Sequence, residues 1–277
     1  GERTVDITLE AFSAVDQISY FVIPAILSLV FLGLSLWIFG LRRTESAGRS
    51  FSMMATSVAI VTGALFDLYT THYFTPIWTM AAALCGGALI DLGLAFPQEA
   101  HVLYRRPYLR WLGYVIGVGL AIMAYFKLYD FQDPTAYFDA WLNIYVFVGL
   151  SALLYFAAMA YRAYFSYSPV VKSQARTVLF GALLGFGPIV VWLLYSSLMR
   201  LLGQESIAFN PYLFIPFIFF PLANGYVIQR FRLLRTDYWV RQGLVYTLLT
   251  VLVVAAYGFL VTGIYLIFSI YVPYNNP

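Results

Sequence analysis

A few ionisable or amide side chains lie inside long apolar stretches of this sequence. They are Asp67, Asp91, Lys127 and Asn224. Such a group is costly to bury within a membrane-length segment, so each is a functional candidate by default. A carboxylate in that setting can relay a proton or bind a ligand, and these four residues are therefore the first candidates for a site.

Asp91 has three open interpretations. It lies in the third apolar segment and could hydrogen bond to a neighbouring helix, with Asn224 at similar depth as a partner. It could instead bind a ligand or relay a proton, or simply face the membrane interface. Asp67 and Lys127 both lie near the outer membrane boundary and could pair with each other. Each could instead extend separately to the surface.

Several kinds of site are excluded by residue type and spacing. No lysine follows Lys172, so a retinal Schiff base in the last two apolar segments is excluded. The single cysteine, Cys85, excludes an intrachain disulfide and a multi-cysteine metal or iron–sulfur site. His72 and His101 fall in different loops, which argues against a paired-histidine metal site or a Ser/His/Asp set. We identify no catalytic or metal-binding residue in this chain and predict no cofactor. His72 or His101 could still ligate one haem or chlorin axially, although a loop histidine is more often solvated.

The elements that position these residues follow from the composition. The chain is 62% hydrophobic and only 10% charged, with a mean hydropathy of +0.79, whereas soluble domains are about 45–50% apolar and about 25% charged. A membrane-spanning helix needs about 20 apolar residues. Apolar runs of that length occur at 18–41, 51–71, 76–96, 111–129, 137–162, 178–199, 211–229 and 243–271. The predicted fold is all-α: a polytopic membrane protein with about eight transmembrane helices.

Orientation follows from the basic residues, which accumulate on the cytoplasmic side of membrane proteins. With the N-terminus outside, most of the 16 basic residues fall inside. They are Arg42, Arg43, Arg49, Arg105, Arg106, Arg110, Arg162, Lys172, Arg176, Arg230, Arg232, Arg235 and Arg241. Eight spans then place residue 277 outside as well.

Aromatic, glycine and proline positions add expectations about packing. The six tryptophans fall near segment ends, as in an interfacial aromatic belt: Trp37, Trp111 and Trp239 near the inner ends, and Trp78, Trp141 and Trp192 near the outer ends. The pairs Gly113/Gly117 and Gly181/Gly185 predict close helix approach within the molecule, with a dimer face as the alternative. Pro216 and Pro221, followed by Asn224 and Gly225, predict an irregular seventh helix.

One stretch carries a family resemblance. Residues 221–246, PLANGYVIQRFRLLRTDYWVRQGLVY, resemble the end of the multi-helix membrane sensor region of bacterial sensor histidine kinases of the quorum-sensing and competence class, and of related PDZ- or GAF-containing membrane signalling proteins. The matching residues are Pro221, Arg230, Phe231, Arg232, Leu233, Asp237, Arg241, Gly243 and Tyr246. Leu94–Phe96 with Pro97, and Gln174–Arg176, fit the same pattern.

The arginines of this stretch form a predicted inner basic collar: Arg230, Arg232, Arg235 and Arg241, with Asp237 as an acceptor for one of them. Each arginine near anionic headgroups contributes about 1 kcal/mol of attraction. Residues 1–12 alternate polar and apolar side chains, which predicts a strand. The resemblance implies that this strand closes a small PDZ-like domain. The predicted division is an outer segment at 1–17, a transmembrane domain at 18–271 and an outer tail at 272–277.

The leading hypothesis is a sensor module in the bacterial cytoplasmic membrane, with its kinase or phosphatase output domain beyond this chain. One alternative is an accessory structural subunit of a respiratory or photosynthetic complex. Another is a transporter with a polar pathway through Asp91 and Asn224. The expected partners are the lipid bilayer and either a second copy or other membrane subunits, with no nucleic acid. The sequence leaves the ligand open.

Overall fold

The helical architecture is seen in a computed structural model that describes residues 13–128, 130, 136–204 and 210–231. Six helices in these ranges are long and apolar enough to cross a membrane, as the predicted multi-pass fold requires. They are α1 (Val15–Arg42), α2 (Ser46–Tyr69), α3 (Thr75–Ala95), α4 (Leu109–Leu128), α5 (Ala136–Phe165) and α6 (Pro169–Leu201). The eighth predicted span, 243–271, and the predicted strand at 1–12 lie outside the described residues.

Local side chains set where several helices begin. The Ser13 hydroxyl accepts from the Asp16 backbone N–H at 3.1 Å and donates to the Asp16 carboxylate at 2.7 Å, which caps the start of α1. Ser168 accepts from the Val171 N–H at 3.5 Å and is followed by Pro169, a residue suited to a first helical position. Helix α6 therefore begins well before its apolar core, and only residues 166–168 separate it from α5.

The seventh apolar segment is irregular, as its prolines predict. It begins as a 3₁₀ helix at Pro211–Ile218 and continues as α7 (Phe219–Phe231). Asn210 caps the 3₁₀ segment by accepting from the Tyr212 N–H at 3.0 Å. Pro216 lies inside it and has no N–H to donate, so a regular α-helical bond is missing there.

The helices form a ring with one helix outside it. Neighbours around the ring are α1, α2, α3, α5, α6 and the 3₁₀ segment, which returns to α1. Helix α4 lies outside the ring against α3 and α5, while α7 packs on α6. Helix α3 is consequently the most enclosed of the long helices: 72% of its most apolar 18-residue stretch is buried.

Close helix crossings depend on small residues, and the glycine pairs serve packing within the chain. A Cβ on Gly113 would lie 3.1 Å from the Gly87 backbone where α4 crosses α3. A Cβ on Gly181 would overlap the Ala223 side chain of α7. The intramolecular interpretation of both pairs therefore accounts for them without a dimer.

Hydroxyl groups join α1 and α2, where apolar contact alone gives little preference over lipid. The Ser35 hydroxyl donates to the Ser52 carbonyl at 2.8 Å, and Ser52 donates back to the Ser35 carbonyl at 3.1 Å. The Ser35 and Thr56 hydroxyls lie 2.7 Å apart. These bonds fix the register of the two helices.

Candidate functional site

The two ends of the bundle differ in chemistry. One end, which we call the arginine-rich end, contains the α1–α2 turn, the α3–α4 loop and the α5–α6 turn. Contacts between Ser46 and Glu99, and between Arg162 and Gly93, bring these three connections together. The opposite end contains the α2–α3 turn at 70–74 and the ends of α4, α5 and α6 that face it.

Asp91 is the centre of a polar cluster near the arginine-rich end. Its carboxylate accepts from the Ser50 hydroxyl of α2 at 2.6 Å and from the Arg110 Nε of α4 at 2.9 Å. The Tyr114 hydroxyl lies 3.3 Å from the same carboxylate. Asp91 is only 6% exposed, so these donors replace the water that an ionised carboxylate would otherwise bind. The cluster joins α2, α3 and α4 and has the character of a structural tie.

Two further arginine contacts extend this tie. Arg110 Nη1 lies 3.9 Å from Glu99, which also accepts from the Ser46 hydroxyl. Arg162 of α5 donates to the carbonyls of Gly93 and Leu94 at 2.5 and 3.2 Å. The last carbonyls of a helix have no partner within that helix, so Arg162 supplies donors that the end of α3 needs.

The other predicted intramembrane residues occupy separate places. Asn224 is buried and donates to the Phe220 carbonyl of its own helix at 2.9 Å. It is not among the partners of Asp91 given above, although similar depth had suggested that the two residues would pair. Lys127 Nζ lies 3.9 Å from Asp130. Asp67 accepts from the backbone N–H groups of Tyr73 and Phe74 at 3.1 and 2.7 Å, and it shapes the α2–α3 turn.

Of the predicted basic collar, only Arg230 lies among the described residues. Arg230 falls in the last turn of α7. Arg232, Arg235, Asp237 and Arg241 lie outside the described residues, and the collar stays a prediction.

A cavity of about 790 Å³ runs inside the ring from the opposite end towards the middle of the bundle. Helices α2, α3, α5 and α6 and the 3₁₀ segment all contribute to its wall. Most of the wall is aromatic or aliphatic. The volume is within the range of about 300–1,000 Å³ that small-molecule sites occupy. Sequence reasoning did not predict this cavity.

Three tryptophans of the predicted interfacial belt contribute to the cavity wall: Trp78, Trp141 and Trp192. The rings of Trp78 and Trp141 lie 4.9 Å apart, and Trp78 is 6% exposed. The Trp78 indole N–H donates to the Val61 carbonyl at 3.1 Å, and that of Trp141 donates to the Thr79 hydroxyl at 3.1 Å. These partners hold the rings in place, so the belt interpretation is wrong for Trp78.

Two buried hydroxyl groups in the cavity wall have no hydrogen-bond partner among the described residues. They belong to Thr75, the first residue of α3, and Ser197, near the end of α6. Ser197 is only 3% exposed. A buried hydroxyl without a partner costs about 1–3 kcal/mol, so a ligand that bonds to both groups would recover that free energy. Most other buried hydroxyls bond to a nearby carbonyl, as Thr79 does to Thr75 at 2.8 Å.

Charged groups are scarce in the wall of the cavity. Arg200 lies at the opposite end, 3.5 Å from Asp139, with its guanidinium 5.1 Å from the centre of the Phe138 ring. His72 has a φ of 57°, a left-handed conformation that the α2–α3 turn imposes. Within the described residues no group of acidic, histidine and cysteine side chains could hold a metal ion.

The arrangement can therefore bind a mostly apolar molecule and offers no nucleophile paired with a base among the wall residues named above. Comparisons with protein-family models, with curated proteins and with solved structures gave no match to this chain.

Proposed function

We propose that this chain is the ligand-sensing membrane module of a bacterial signal-transduction protein in the cytoplasmic membrane. The observation that carries the proposal is the cavity inside the ring, with the unpartnered hydroxyls of Thr75 and Ser197 in its wall. The resemblance of residues 221–246 to kinase sensor regions supports the signalling role, and the output domain would lie outside this chain.

A chain of aromatic contacts gives the cavity a route to α7. Phe217 of the 3₁₀ segment lines the cavity and lies 4.8 Å from the Phe186 ring. Phe186 in turn lies 4.5 Å from Phe220, at the start of α7. A ligand that prefers one packing of these rings shifts the population of α7 positions, and α7 leads directly to the arginine-containing stretch.

The transport alternative receives less support from this geometry. It requires a polar pathway through Asp91 and Asn224, and neither residue is part of the cavity wall. Asp91 is instead tied to Ser50 and Arg110.

The sensing proposal is tested by filling the cavity. Ala152 of α5 is 2% exposed and faces the cavity, whereas Ala157 of the same helix is exposed on the outside. The substitution Ala152→Phe imitates an occupant, and Ala157→Phe is the matched control. Spin labels at Leu112 and Leu222, both exposed, report the distance between α4 and α7 in a Cys85→Ala background.

We expect Ala152→Phe to shift the distance distribution by a few ångströms relative to the unfilled chain, and Ala157→Phe to leave it unchanged. Identical distributions in all three proteins would contradict the proposal, because a filled cavity would then leave α7 where it was.

A further inference from the structure

The cavity is polar at one end and apolar at the other. The polar part lies nearest the end of the bundle that is opposite the arginine-rich end. It is lined by His72, Thr75, Ser197 and Arg200. The deep part is lined by side chains such as Leu89 and Phe217. Along α3, Thr75 and Leu89 are 14 residues apart, which is roughly 21 Å at 1.5 Å per residue. A molecule that fills this space is elongated and has one polar end.

The polar groups nearest that end share the ability to donate. The hydroxyls of Thr75 and Ser197 are buried without a partner in the part of the chain that the structure describes. Ser197 and Arg200 are three residues apart on α6, so their side chains lie on the same face of the helix. A guanidinium has five N–H donors and no acceptor, and a carboxylate accepts through two oxygens. An anionic oxygen group therefore matches this set.

The present partner of Arg200 is weakly held. The Arg200–Asp139 distance is 3.5 Å, and the Asp139 side chain is 80% exposed. Exposed ion pairs of this kind contribute little to stability. A bound anion can replace Asp139 at small cost, while the guanidinium keeps its contact with the Phe138 ring.

We propose that the cavity binds a single-chain amphiphile with an anionic oxygen head group. Its head lies among Thr75, Ser197 and Arg200, and its chain extends past Cys85 and Leu89 towards Phe217. This proposal rests on the sensing function and adds the chemical class of the ligand.

The test is equilibrium binding of tritiated hexadecanoate to the purified chain in detergent. Unlabelled hexadecanoate and hexadecan-1-ol compete; they share a chain length and differ in head-group charge. We expect hexadecanoate to compete at a concentration at least ten-fold lower than hexadecan-1-ol. A hydrogen bond to a charged group is stronger than one to a neutral group, by enough to change affinity about ten-fold. Arg200→Gln and Ser197→Ala should therefore each weaken hexadecanoate binding about ten-fold.

Two matched controls locate the site. Ser173, on the same helix as Ser197, is exposed at the arginine-rich end, so Ser173→Ala should bind hexadecanoate like the unaltered chain. Ala152→Phe should abolish binding, whereas Ala157→Phe should retain it.

The outcomes separate the two proposals. Equal competition by the acid and the alcohol would overturn the anionic head group but leave a binding cavity in place. Binding that survives Ala152→Phe would overturn the location of the ligand. If neither probe binds while Ala152→Phe still shifts α7, the ligand class is wrong and the sensing function stands. If neither probe binds and α7 does not move, both proposals fail.

Discussion

Asp91 shows how a single intramembrane charge can serve structure. Three donors from two neighbouring helices surround its carboxylate: Ser50, Arg110 and Tyr114. Removing one partner of a buried ion pair costs more free energy than the intact pair contributes to stability, because the other charge is left uncompensated. Arg110 is 22% exposed in its side chain and would lose its closest acceptor.

Asp91→Ala should therefore lower the free energy of unfolding by about 3 kcal/mol, the low end for a buried ion pair, because Arg110 stays partly exposed. Thermal unfolding in detergent measures the effect, with a thiol-reactive fluorophore reporting the exposure of buried Cys85. Asp139→Ala is the control, since this carboxylate is 80% exposed and its pair with Arg200 is loose. Equal losses in the two variants would show that the Asp91 cluster is not a tie.

The residue scale also shows what the sequence could and could not predict. Asp91 stood out because a charge in an apolar segment is expensive to bury. Ser197 and Thr75 did not, because serine and threonine in helices usually donate to a carbonyl one turn earlier, as Thr62 does to Val58. Only the packing shows that these two hydroxyls lie in a cavity wall and lack a partner within the described ranges.

At the scale of helices, apolar length and proline position predicted most of what is described. The six long helices follow the hydrophobic runs, and Pro216 marks the segment that is 3₁₀ instead of α. The start of α6 was placed less well, at 178 instead of Pro169, because a helix extends past its apolar core into water where capping residues allow it. The sequence also could not show which face of each helix meets the cavity, and Trp78 was misplaced for that reason.

The helices α3 and α4 cross closely because glycine has no side chain. Substitutions at two glycines of α4 test this dependence. A Cβ on Gly117 would lie 2.7 Å from the Ala83 carbonyl oxygen, whereas a Cβ on Gly119 has no atom within 4 Å. Gly117→Ala should force the helices apart and destabilise the protein by about 1–3 kcal/mol.

Gly119→Ala should have the opposite sign, a gain of up to about 1 kcal/mol, because alanine favours a helix over glycine. The same thermal unfolding measurement compares both variants. Equal effects of the two substitutions would mean that helix propensity, and not the contact with Ala83, decides the outcome.

At the scale of the whole molecule, the cavity and the polar ties occupy different ends. The Asp91 and Arg162 contacts fix α2, α3, α4 and α5 at the arginine-rich end. The cavity lies towards the other end, where the 3₁₀ segment, with its missing proline N–H, forms part of the wall. A fixed end and a cavity bounded by an irregular segment suit the proposed module, in which a ligand alters the position of α7.

This arrangement has consequences for signalling only if the cavity meets the outside and the arginine-rich end meets the cytoplasm, as the distribution of basic residues predicts. Two exposed tyrosines test it: Tyr73 in the α2–α3 turn is 84% exposed, and Tyr167 between α5 and α6 is fully exposed. In a Cys85→Ala background, a membrane-impermeant maleimide should label Tyr73→Cys in intact cells and Tyr167→Cys only after lysis. The reverse pattern would invert the topology, and the ligand would then have to reach the cavity from the cytoplasm. Labelling of both sites in intact cells would contradict a fixed orientation, because the two ends of a membrane-spanning bundle face different compartments.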